Sequence, residues 1–592
     1  MKKREPISNA VRFILYILLL ILPSAFTTIT ADPTEIKNVI LNLGLLAIAV
    51  VILVGLISKK SLKIKWTPLD FVILAFLVWN IVSALNAEYQ WATRPEAIRI
   101  FSHVFVYFLC SRYLGESDKI RNTFSILALS SVIPCIYAII QRFGLDPIMW
   151  AYPSYERVLA SFGNPTYFAA YLVLVIPITL LLYLDEENAL RRWGLLVLAG
   201  MQLACLLWTY SRGPWFGLLL ALAIGFGLPI LLGTRGFTFK DAKKVGVGVA
   251  VLLGITVLVS INGGIFERAK TSLDTKDLSN IQRVLQWRAG YRVFLEHPII
   301  GVGPGALKVY MPEKLTPSFF YTGIATASEH AHNEFIEVAA ETGIIGLGIF
   351  LLMLGMTVVF ALRKSFEKTH TSGVLIGAIL GFLVCNLVGV AMRYSVGGVY
   401  FWVFLGLLSG LGSWKTHTKD FRTGNGIRLF LILCFALVFL LFICSSVRAV
   451  YSFIGSIEQK RADSLFGQNL MEEAIPIYRK VLFINPTNVS AMYNLAICYT
   501  AVKEYNSALS TYARLEKLWP DIGRIHFNKG TIYATMGNLS LAKKELERAA
   551  KIDGLPDTWE YLSRVYYALG EESKAAEAAR NAVQAANKMT NP

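Results

Sequence analysis

Charged residues are scarce in this sequence. Only 16% of the 592 residues are Asp, Glu, Lys or Arg, whereas 55% are hydrophobic and the mean hydropathy is +0.52. A soluble domain cannot bury that much apolar surface, so the composition excludes a wholly soluble protein. Most of the chain is therefore predicted to use lipid as its solvent.

Cysteine is also sparse, and its placement does not indicate a disulfide framework or a metal cluster. The sequence has seven cysteines, and all but Cys498 fall in apolar segments: Cys110, Cys135, Cys205, Cys385, Cys434 and Cys444. The net charge of +17 is high. In a chain that crosses the membrane many times, Lys and Arg collect in cytoplasmic loops, so we expect no nucleic-acid partner.

Long apolar runs dominate the first three quarters of the chain, and each is long enough to cross a bilayer as a helix. We predict about thirteen spans, which makes residues 1–450 a polytopic transmembrane helical bundle in an all-α fold. The first run follows Lys2, Lys3 and Arg4 and is interpreted as a retained signal anchor. The runs begin near Phe13, Val39, Phe71, Ile98, Phe124, Tyr167, Leu195, Trp215, Val245, Phe335, Val374, Val399 and Leu429.

Loop charges set the predicted orientation. With the N-terminus in the cytoplasm, every inside loop is basic, as the positive-inside rule requires. These loops are 59–65, 112–121, 191–192, 235–244, 363–368 and 415–428. The outside then receives a long loop at about 262–333 and all of residues 451–592.

Residues 451–592 carry an internal repeat. Ala474, Ala508, Ala542 and Ala575 recur at spacings of 34, 34 and 33 residues, and a tyrosine precedes each of the last three by nine residues. Fixed small and large positions in a 34-residue helix–turn–helix unit resemble tetratricopeptide repeats, a soluble α-helical solenoid. Such stacks bind extended partners on a concave face, so this domain is predicted to bind a partner whose identity the repeat does not specify.

Two outside stretches carry cations. Ser211-Arg212-Gly213-Pro214 sits between two spans with almost no loop. Arg212 there is either an interfacial anchor or a bidentate phosphate ligand. Arg283, Trp287 and Arg288 are predicted to lie on an amphipathic helix at the outer surface. The following Gly301-Val302-Gly303-Pro304-Gly305 run lacks the strand and Lys of a phosphate loop and is interpreted as a turn.

A third outside stretch is His330-Ala331-His332-Asn333-Glu334. Two histidines could chelate zinc, but no third ligand has suitable spacing, so we expect no metal. Asn333 is predicted to cap the next helix. His332 then stands at the mouth of that helix, either as a general base or as an ordinary interfacial histidine.

Together these stretches resemble the O-antigen ligase family of bacterial membrane glycosyltransferases. His332-Asn333, nine residues, Gly343, two residues and Gly346 are similar to the family signature. Ser211-Arg212-Gly213 is similar to its second motif, and Arg283-x-x-x-Trp287 with the Gly run to its third. Residues 161–167 and 141–147 also resemble stretches of family members. The resemblance covers roughly residues 10 to 415.

The resemblance implies a GT-C-like fold and a glycan donor on a polyprenyl diphosphate in the outer leaflet. The glycan would pass to the hydroxyl of a glycolipid, polysaccharide or protein, with no metal, nucleotide sugar or other cofactor. His332 would be the general base, and Arg212 and Arg283 would bind the diphosphate. Four further arginines near the outer side are second-rank candidates for substrate binding: Arg94, Arg99, Arg157 and Arg393. The expected location is a bacterial cytoplasmic membrane, with the active site and repeats outside.

Other readings stay open from the sequence. The same fold could polymerise lipid-linked repeat units or modify protein hydroxyls. A transporter for lipid-linked sugars would line a path with the Arg and His residues, but the polar motifs gather at one face and paired broken helices are not evident. A membrane-anchored scaffold would not need so many spans.

Overall fold

The computed structural model describes residues 6–58, 61–115, 119–148, 150, 154–227, 239–261, 264, 268, 270, 274, 277–322, 328–366, 370–411, 417–422 and 425–590. The fold is helical, as predicted. Part of the predicted basic loop 235–244 and much of the predicted outer loop between 262 and 276 lie outside these residues.

The first half of the chain forms mainly apolar helices. They are α1 Pro6–Ile21, α2 Glu35–Ser58, α3 Pro68–Asn86, α4 Gln90–Tyr113, α5 Ile120–Leu129, α6 Val132–Arg142, α7 Pro165–Asp185, α8 Ala189–Trp208, α9 Arg212–Leu222 and α10 Phe239–Ile261. Helix α7 is apolar on all sides and most of its residues are buried, so it forms the centre of the bundle.

The second half adds the long polar connection and the remaining apolar helices. The connection contains α11 Leu278–Glu296, α12 Leu307–Lys314 and α13 Pro317–Phe320. The apolar helices are α14 Glu334–Phe366, α15 His370–Leu387, α16 Ser395–Gly410 and α17 Asn425–Gly467. Seven helices of the described residues are long and apolar enough to span a membrane, and several shorter apolar helices accompany them. The predicted count of about thirteen therefore stays a prediction.

Helix α9 is fixed by a close crossing with α15. A Cβ on Gly217 would lie 2.5 Å from the carbonyl oxygen of Gly381, and one on Gly381 would lie 2.3 Å from that of Gly217. Small residues let two helix backbones approach this closely in lipid. The crossing holds the start of α9, which carries Arg212.

The connections gather at two ends of the bundle. At one end, β1 Ser61–Trp66 pairs antiparallel with β2 His417–Arg422 in a two-stranded ribbon. This ribbon is a departure from a purely helical chain, and it joins two of the predicted basic loops. The repeat domain, α11 to α13 and the predicted site residues lie at the other end, as the contacts below show.

The C-terminal residues form a stack of helix pairs. Helix α17 runs without interruption from the apolar segment into the first repeat, across the predicted boundary at 450. It is followed by α18 Met471–Ile484, α19 Val489–Ala501, α20 Tyr505–Leu518, α21 Gly523–Thr535, α22 Leu539–Ile552, α23 Pro556–Ala568 and α24 Glu572–Thr590. The four periodic alanines are all buried, which explains why the repeat selects a small residue there.

One edge of this stack packs against the bundle. Three connections between repeats, centred on Asn485, Trp519 and Asp553, are 34 residues apart. The first lines a cavity shared with the start of α2. At the second, Trp91 Nε1 donates to the carbonyl of Leu518 at 3.2 Å, and Trp519 packs against the bundle. At the third, Tyr321, which follows α13, donates through its hydroxyl to the carbonyl of Gly554 at 3.1 Å. The repeat domain is thus docked along its edge.

Candidate active site

Arg212 is the first residue of α9 and its side chain is only 7% exposed. Its Nη2 donates to Oδ1 of Asp277 at 3.1 Å and to Oδ1 of Asn280 at 3.2 Å. Asp277 also caps α11 by accepting from the Asn280 backbone N–H. The pair therefore ties the start of α9 to the start of α11, and the guanidinium is held rather than left to extend into solvent as an interfacial anchor would.

Arg157 approaches the same place from the connection before α7. Its Nε donates to the carbonyl of Thr209 at 3.0 Å, and its Nη2 lies 3.4 Å from Oγ of Ser211. The turn between α8 and α9 is tight enough to place Tyr210 at a positive φ of 51°. Ser211 and Arg157 thus support the backbone on which Arg212 sits.

Arg283 lies on α11, six residues after its cap Asp277. Burial lowers the pKa of its guanidinium, and the positive charges of Arg212 and Arg268 lower it further. Its side chain makes no hydrogen bond or ion pair within the described part of the chain. Guanidiniums brought close enough to repel one another are stabilised by an anion between them, and phosphate suits their bidentate geometry.

Trp287 lies one helical turn after Arg283. Its indole N–H is buried and has no hydrogen-bond partner among the residues that the structure describes. The prediction that this ring rests at headgroup depth stays untested. Helix α11 buries Gln286, Ala289 and Val293 and exposes Arg288, but it also exposes Val284, Tyr291 and Leu295. Polar and apolar side chains therefore lie on both faces, and the predicted amphipathic pattern is not observed.

Hydrogen bonds hold the chain on both sides of His332, at Ala331 and at Asn333. Asn333 Oδ1 accepts from the backbone N–H groups of Phe335 and Ile336 at 3.0 and 3.2 Å, which confirms the predicted cap. His332 itself has a positive φ of 52°. Burial lowers the pKa of its imidazole to about 4, helped by His330. The ring is therefore neutral at pH 7, and no described residue hydrogen-bonds to it.

His330 has a carboxylate partner that the sequence did not indicate. Its Nδ1 lies 3.2 and 3.3 Å from the two oxygens of Glu337, and Oε1 of Glu337 also accepts from the Ala331 backbone N–H at 2.9 Å. Burial opposes protonation of His330, but the charge and hydrogen bond of Glu337 outweigh it and raise the pKa. The two histidines are thus shifted in opposite directions.

Arg393 lies in a short turn between α15 and α16 and is 7% exposed. Four carboxylates surround it at 2.8 to 3.6 Å: Glu96, Glu334, Glu337 and Glu341. Burial lowers the pKa of Arg393, but these carboxylates raise it well above the usual value. Its predicted role in substrate binding is untested, and its position favours holding α14 and the His330 segment in place.

The remaining second-rank arginines are apart from Arg212. Arg99 Nε donates to Glu96 at 2.9 Å, and its Nη1 donates to the carbonyl of Met392 at 3.1 Å. Arg99 therefore belongs to the acidic network around Arg393. Arg94 is exposed near the start of α4. Arg157 is the one of the four that the structure brings to Arg212 and Arg283.

The signature glycines have a structural explanation. Gly343 interrupts α14 with φ 66° and ψ −172°, and a Cβ there would lie 2.0 Å from the carbonyl oxygen of Ile299. The backbone of Val302 and Gly303 donates to carbonyls of α14 just before this kink. The glycine run is therefore a turn packed on α14, as predicted, and not a phosphate cradle. At Gly346 a Cβ would meet Thr342 and Trp79, and Gly213 is similarly close to Val388.

Several site residues had no clear signal in the sequence. Arg268 and Asn280 lie in stretches without strong periodicity. Glu337 could have been found, because Glu334, Glu337 and Glu341 share one face of an otherwise apolar helix. Among the described residues, no group of three His, Cys, Asp or Glu side chains could hold a metal ion.

The fold and the candidate site define a class of protein. It is a bundle of apolar, membrane-spanning-type helices with arginines and histidines at the end where helical repeats dock. Comparison with known families then makes it specific. Residues 194–351, which include Arg212, Arg283, His332, Gly343 and Gly346, match the O-Antigen ligase family. Residues 465–521 and 523–554 match tetratricopeptide repeats. The chain therefore contains an O-antigen ligase domain followed by tetratricopeptide repeats.

The chain is also similar to individual proteins. Exopolysaccharide production protein ExoQ of Rhizobium meliloti (strain 1021) is 26% identical over 350 residues, which cover 57% of this chain and 76% of ExoQ. Among solved structures, that of MamA is 18% identical with a TM-score of 0.23, over 25% of this chain and 91% of MamA. A tetratricopeptide-repeat protein of Thermus thermophilus is 20% identical with a TM-score of 0.21, over 28% of this chain and 91% of that protein. The domain and the relative support a glycan-processing role at a membrane.

Proposed function

We propose that this protein transfers a glycan from a polyprenyl diphosphate to an acceptor hydroxyl at the outer face of a bacterial cytoplasmic membrane. The observation that carries the proposal is the cluster of Arg157, Arg212 and Arg283, of which Arg283 acts electrostatically on the neutral His332. Arg283 contributes to the lowered pKa of His332, so its guanidinium lies within electrostatic range of the imidazole.

The reaction needs one bond formed and one broken. The acceptor oxygen bonds to the anomeric carbon of the donor sugar, and the bond from that carbon to the diphosphate oxygen breaks. The diphosphate leaves with the bonding electron pair, so negative charge develops on it. Arg212 and Arg283 are placed to stabilise that charge, and loss of one such preorganised donor costs about 10²–10³ in kcat.

The acceptor hydroxyl must lose its proton during this attack. The imidazole of His332 is neutral, and its nitrogens have no hydrogen-bond partner among the described residues. It is therefore the proposed general base, a role worth about 10²–10⁴ in rate. Its positive φ is supported on either side, by the Ala331 N–H bonded to Glu337 and by the Asn333 cap. The proposed mechanism uses no metal, since these protein cations serve the leaving group.

The experiment is transfer from purified lipid-linked glycan by the full-length protein in liposomes, with and without chelator. Glycan appearing on the acceptor, with release of polyprenyl diphosphate in equal amount, is the expected result. Hydrolysis of the donor without acceptor labelling, or movement of intact donor across the bilayer, would contradict the proposal. Loss of transfer with chelator would contradict the metal-free mechanism alone.

A polymerase that joins lipid-linked repeat units is the second candidate. It is favoured by the similarity to a protein named for exopolysaccharide production. A deletion strain separates the two functions: short lipid-linked units without long chains indicate a polymerase, and full chains left on the lipid carrier indicate a ligase.

A further inference from the structure

A polar cavity of about 390 Å³ lies between the bundle and the repeat domain, which contact each other elsewhere. Small-molecule sites occupy roughly 300–1,000 Å³, so it is large enough for a small ligand. One wall comes from the start of α2 and the residues before it, and the other from α17 and the first connection between repeats. The polar side chains that line it include Asp32, Glu35, Asn38, Gln459, Asn485 and Asn488.

The lining has a distinctive chemistry. It consists of amides, carboxylates, the hydroxyls of two serines, a glycine and an alanine, without a cation or a large apolar side chain. Amides donate to and accept from neighbouring hydroxyl groups of a ligand, and ionised carboxylates accept from them. The carboxylates Asp32 and Glu35 repel an anionic ligand and attract an ammonium group. A neutral or amino sugar fits this chemistry, and a uronic acid or phosphate does not.

Hydrogen bonds between and within the walls hold the cavity in shape without a ligand. Across the two walls, the Ala31 backbone N–H donates to Oγ of Ser456 at 3.1 Å. Within the repeat side, Nδ2 of Asn488 donates to Oε1 of Gln459 at 2.8 Å. A preorganised polar site loses less entropy when it binds a flexible ligand such as a glycan.

The cavity borders the histidine side of the candidate active site. Ser395 donates through its hydroxyl to Asn38 of the cavity wall. The preceding residue, Tyr394, has its ring 6.4 Å from the ring of His330. The path of contacts through Ser395 and Tyr394 leads from the cavity to His330, so a glycan that extends along it would approach the histidine pair.

We propose that this cavity is the subsite for a neutral or amino sugar of the acceptor, formed jointly by the bundle and the repeats. This inference rests on the proposed transfer function and names its acceptor class: a glycan rather than a peptide. It also gives the repeat domain a direct part in substrate binding.

Binding is measured first, by saturation-transfer NMR with the full-length protein in nanodiscs. The probes are cellobiose, the glucosamine disaccharide and digalacturonate. We expect signals from the first two and none from digalacturonate. Gln459→Leu should abolish the signals, because it replaces a polar wall with an apolar one. Gln468→Leu, in the connection that follows the same helix, outside the cavity and exposed, is the matched control and should keep them.

A charge variant sharpens the test. Glu35→Gln keeps the hydrogen-bonding groups and removes one negative charge, so digalacturonate should gain binding while cellobiose keeps its own. Thermal melting of each variant checks folding. Lack of binding by both the neutral and the amino probe would overturn the subsite, as would persistence of binding in a folded Gln459→Leu protein.

Kinetics separate this proposal from the transfer function itself. Gln459→Leu should raise the KM for acceptor about tenfold and leave the KM for donor unchanged. His332→Ala should lose transfer and keep probe binding. Sugar binding without any transfer by the wild type would refute the proposed function alone. Transfer with an unchanged acceptor KM in Gln459→Leu would refute the subsite alone.

Discussion

Glu337 accepts hydrogen bonds from both the ring of His330 and the backbone N–H of Ala331, the residue between the two histidines. One carboxylate thereby fixes the segment that presents His332. Because a small misplacement of a reacting group can cost about 10²-fold in rate, we propose Glu337 as a positioning residue that acts through this segment.

Glu337→Ala should lower kcat about 100-fold with little change in the KM for donor. Glu337→Gln should lose less, because the amide oxygen can still accept from Ala331. NMR titration should show a lower pKa for His330 in both variants, since Glu337 raises it in the wild type. A normal kcat in a folded Glu337→Ala protein would remove the positioning role.

Replacing Arg212 or Arg283 should affect transfer, whereas replacing a surface arginine should not. Arg212→Ala and Arg283→Ala should abolish transfer while expression and membrane insertion persist. Lys at either position should rescue only partly, since a point charge cannot make the two parallel hydrogen bonds of a guanidinium. Arg191→Ala is the control, because that side chain is exposed at the start of α8. Full activity in both alanine variants would remove diphosphate binding from these residues.

The sequence predicted the elements of this site better than their pairing. Helical periodicity predicted the apolar helices and the repeat domain, and residue type predicted the Asn333 cap. Motif spacing selected Arg212, Arg283 and His332, whose roles stay predictions. Asp277 was missed as a partner of Arg212, because contacts between separate elements depend on tertiary packing that local patterns do not encode. For the same reason Arg393 was grouped with Arg157, although one is enclosed by carboxylates and the other adjoins Arg212. Glu337 lies only seven residues from His330, and its place on the carboxylate face of α14 was a signal that could have predicted it.

Reporter fusions test the predicted topology. Fusions after Ile261 and after Val450 should be exocytoplasmic, and one after Lys243 should be cytoplasmic, because the basic loops are retained inside. The ribbon of β1 and β2 joins two of those loops, so a cysteine introduced into either predicted loop should be labelled only from the cytoplasm. A cytoplasmic repeat domain would contradict both the orientation and the acceptor proposal.

Gly343 should be sensitive to substitution for a backbone reason. Gly343→Ala forces a Cβ into the carbonyl of Ile299 at a positive φ, so we expect a lower melting temperature and reduced transfer. Gly348→Ala, on the same helix with open space around it, should be tolerated. Equal melting temperatures for the two variants would show that the kink at Gly343 does not constrain the protein.

The two histidines make opposite predictions for the pH dependence of transfer. The acid limb of kcat/KM reports the pKa of the free enzyme's base. If His332 is that base, kcat/KM should rise through about pH 4 and stay level to neutral pH, because burial and His330 hold its pKa near 4. If His330 is the base, the limb should lie above the ordinary histidine value of about 6.5, because Glu337 raises that pKa.

Substitutions at the two positions complete the argument for His332. His332→Ala and His332→Gln should lose turnover but still bind lipid-linked donor, since the arginines hold the diphosphate. His330→Ala should keep most of its activity, because the Ala331 N–H can still bond to Glu337 and fix the segment. The measurements are single-turnover transfer and donor binding, each repeated with chelator. Equal loss at both histidines together with chelator sensitivity would favour a metal-binding pair, and an acid limb above about 6.5 with loss only at His330 would assign the proton to the His330–Glu337 pair instead.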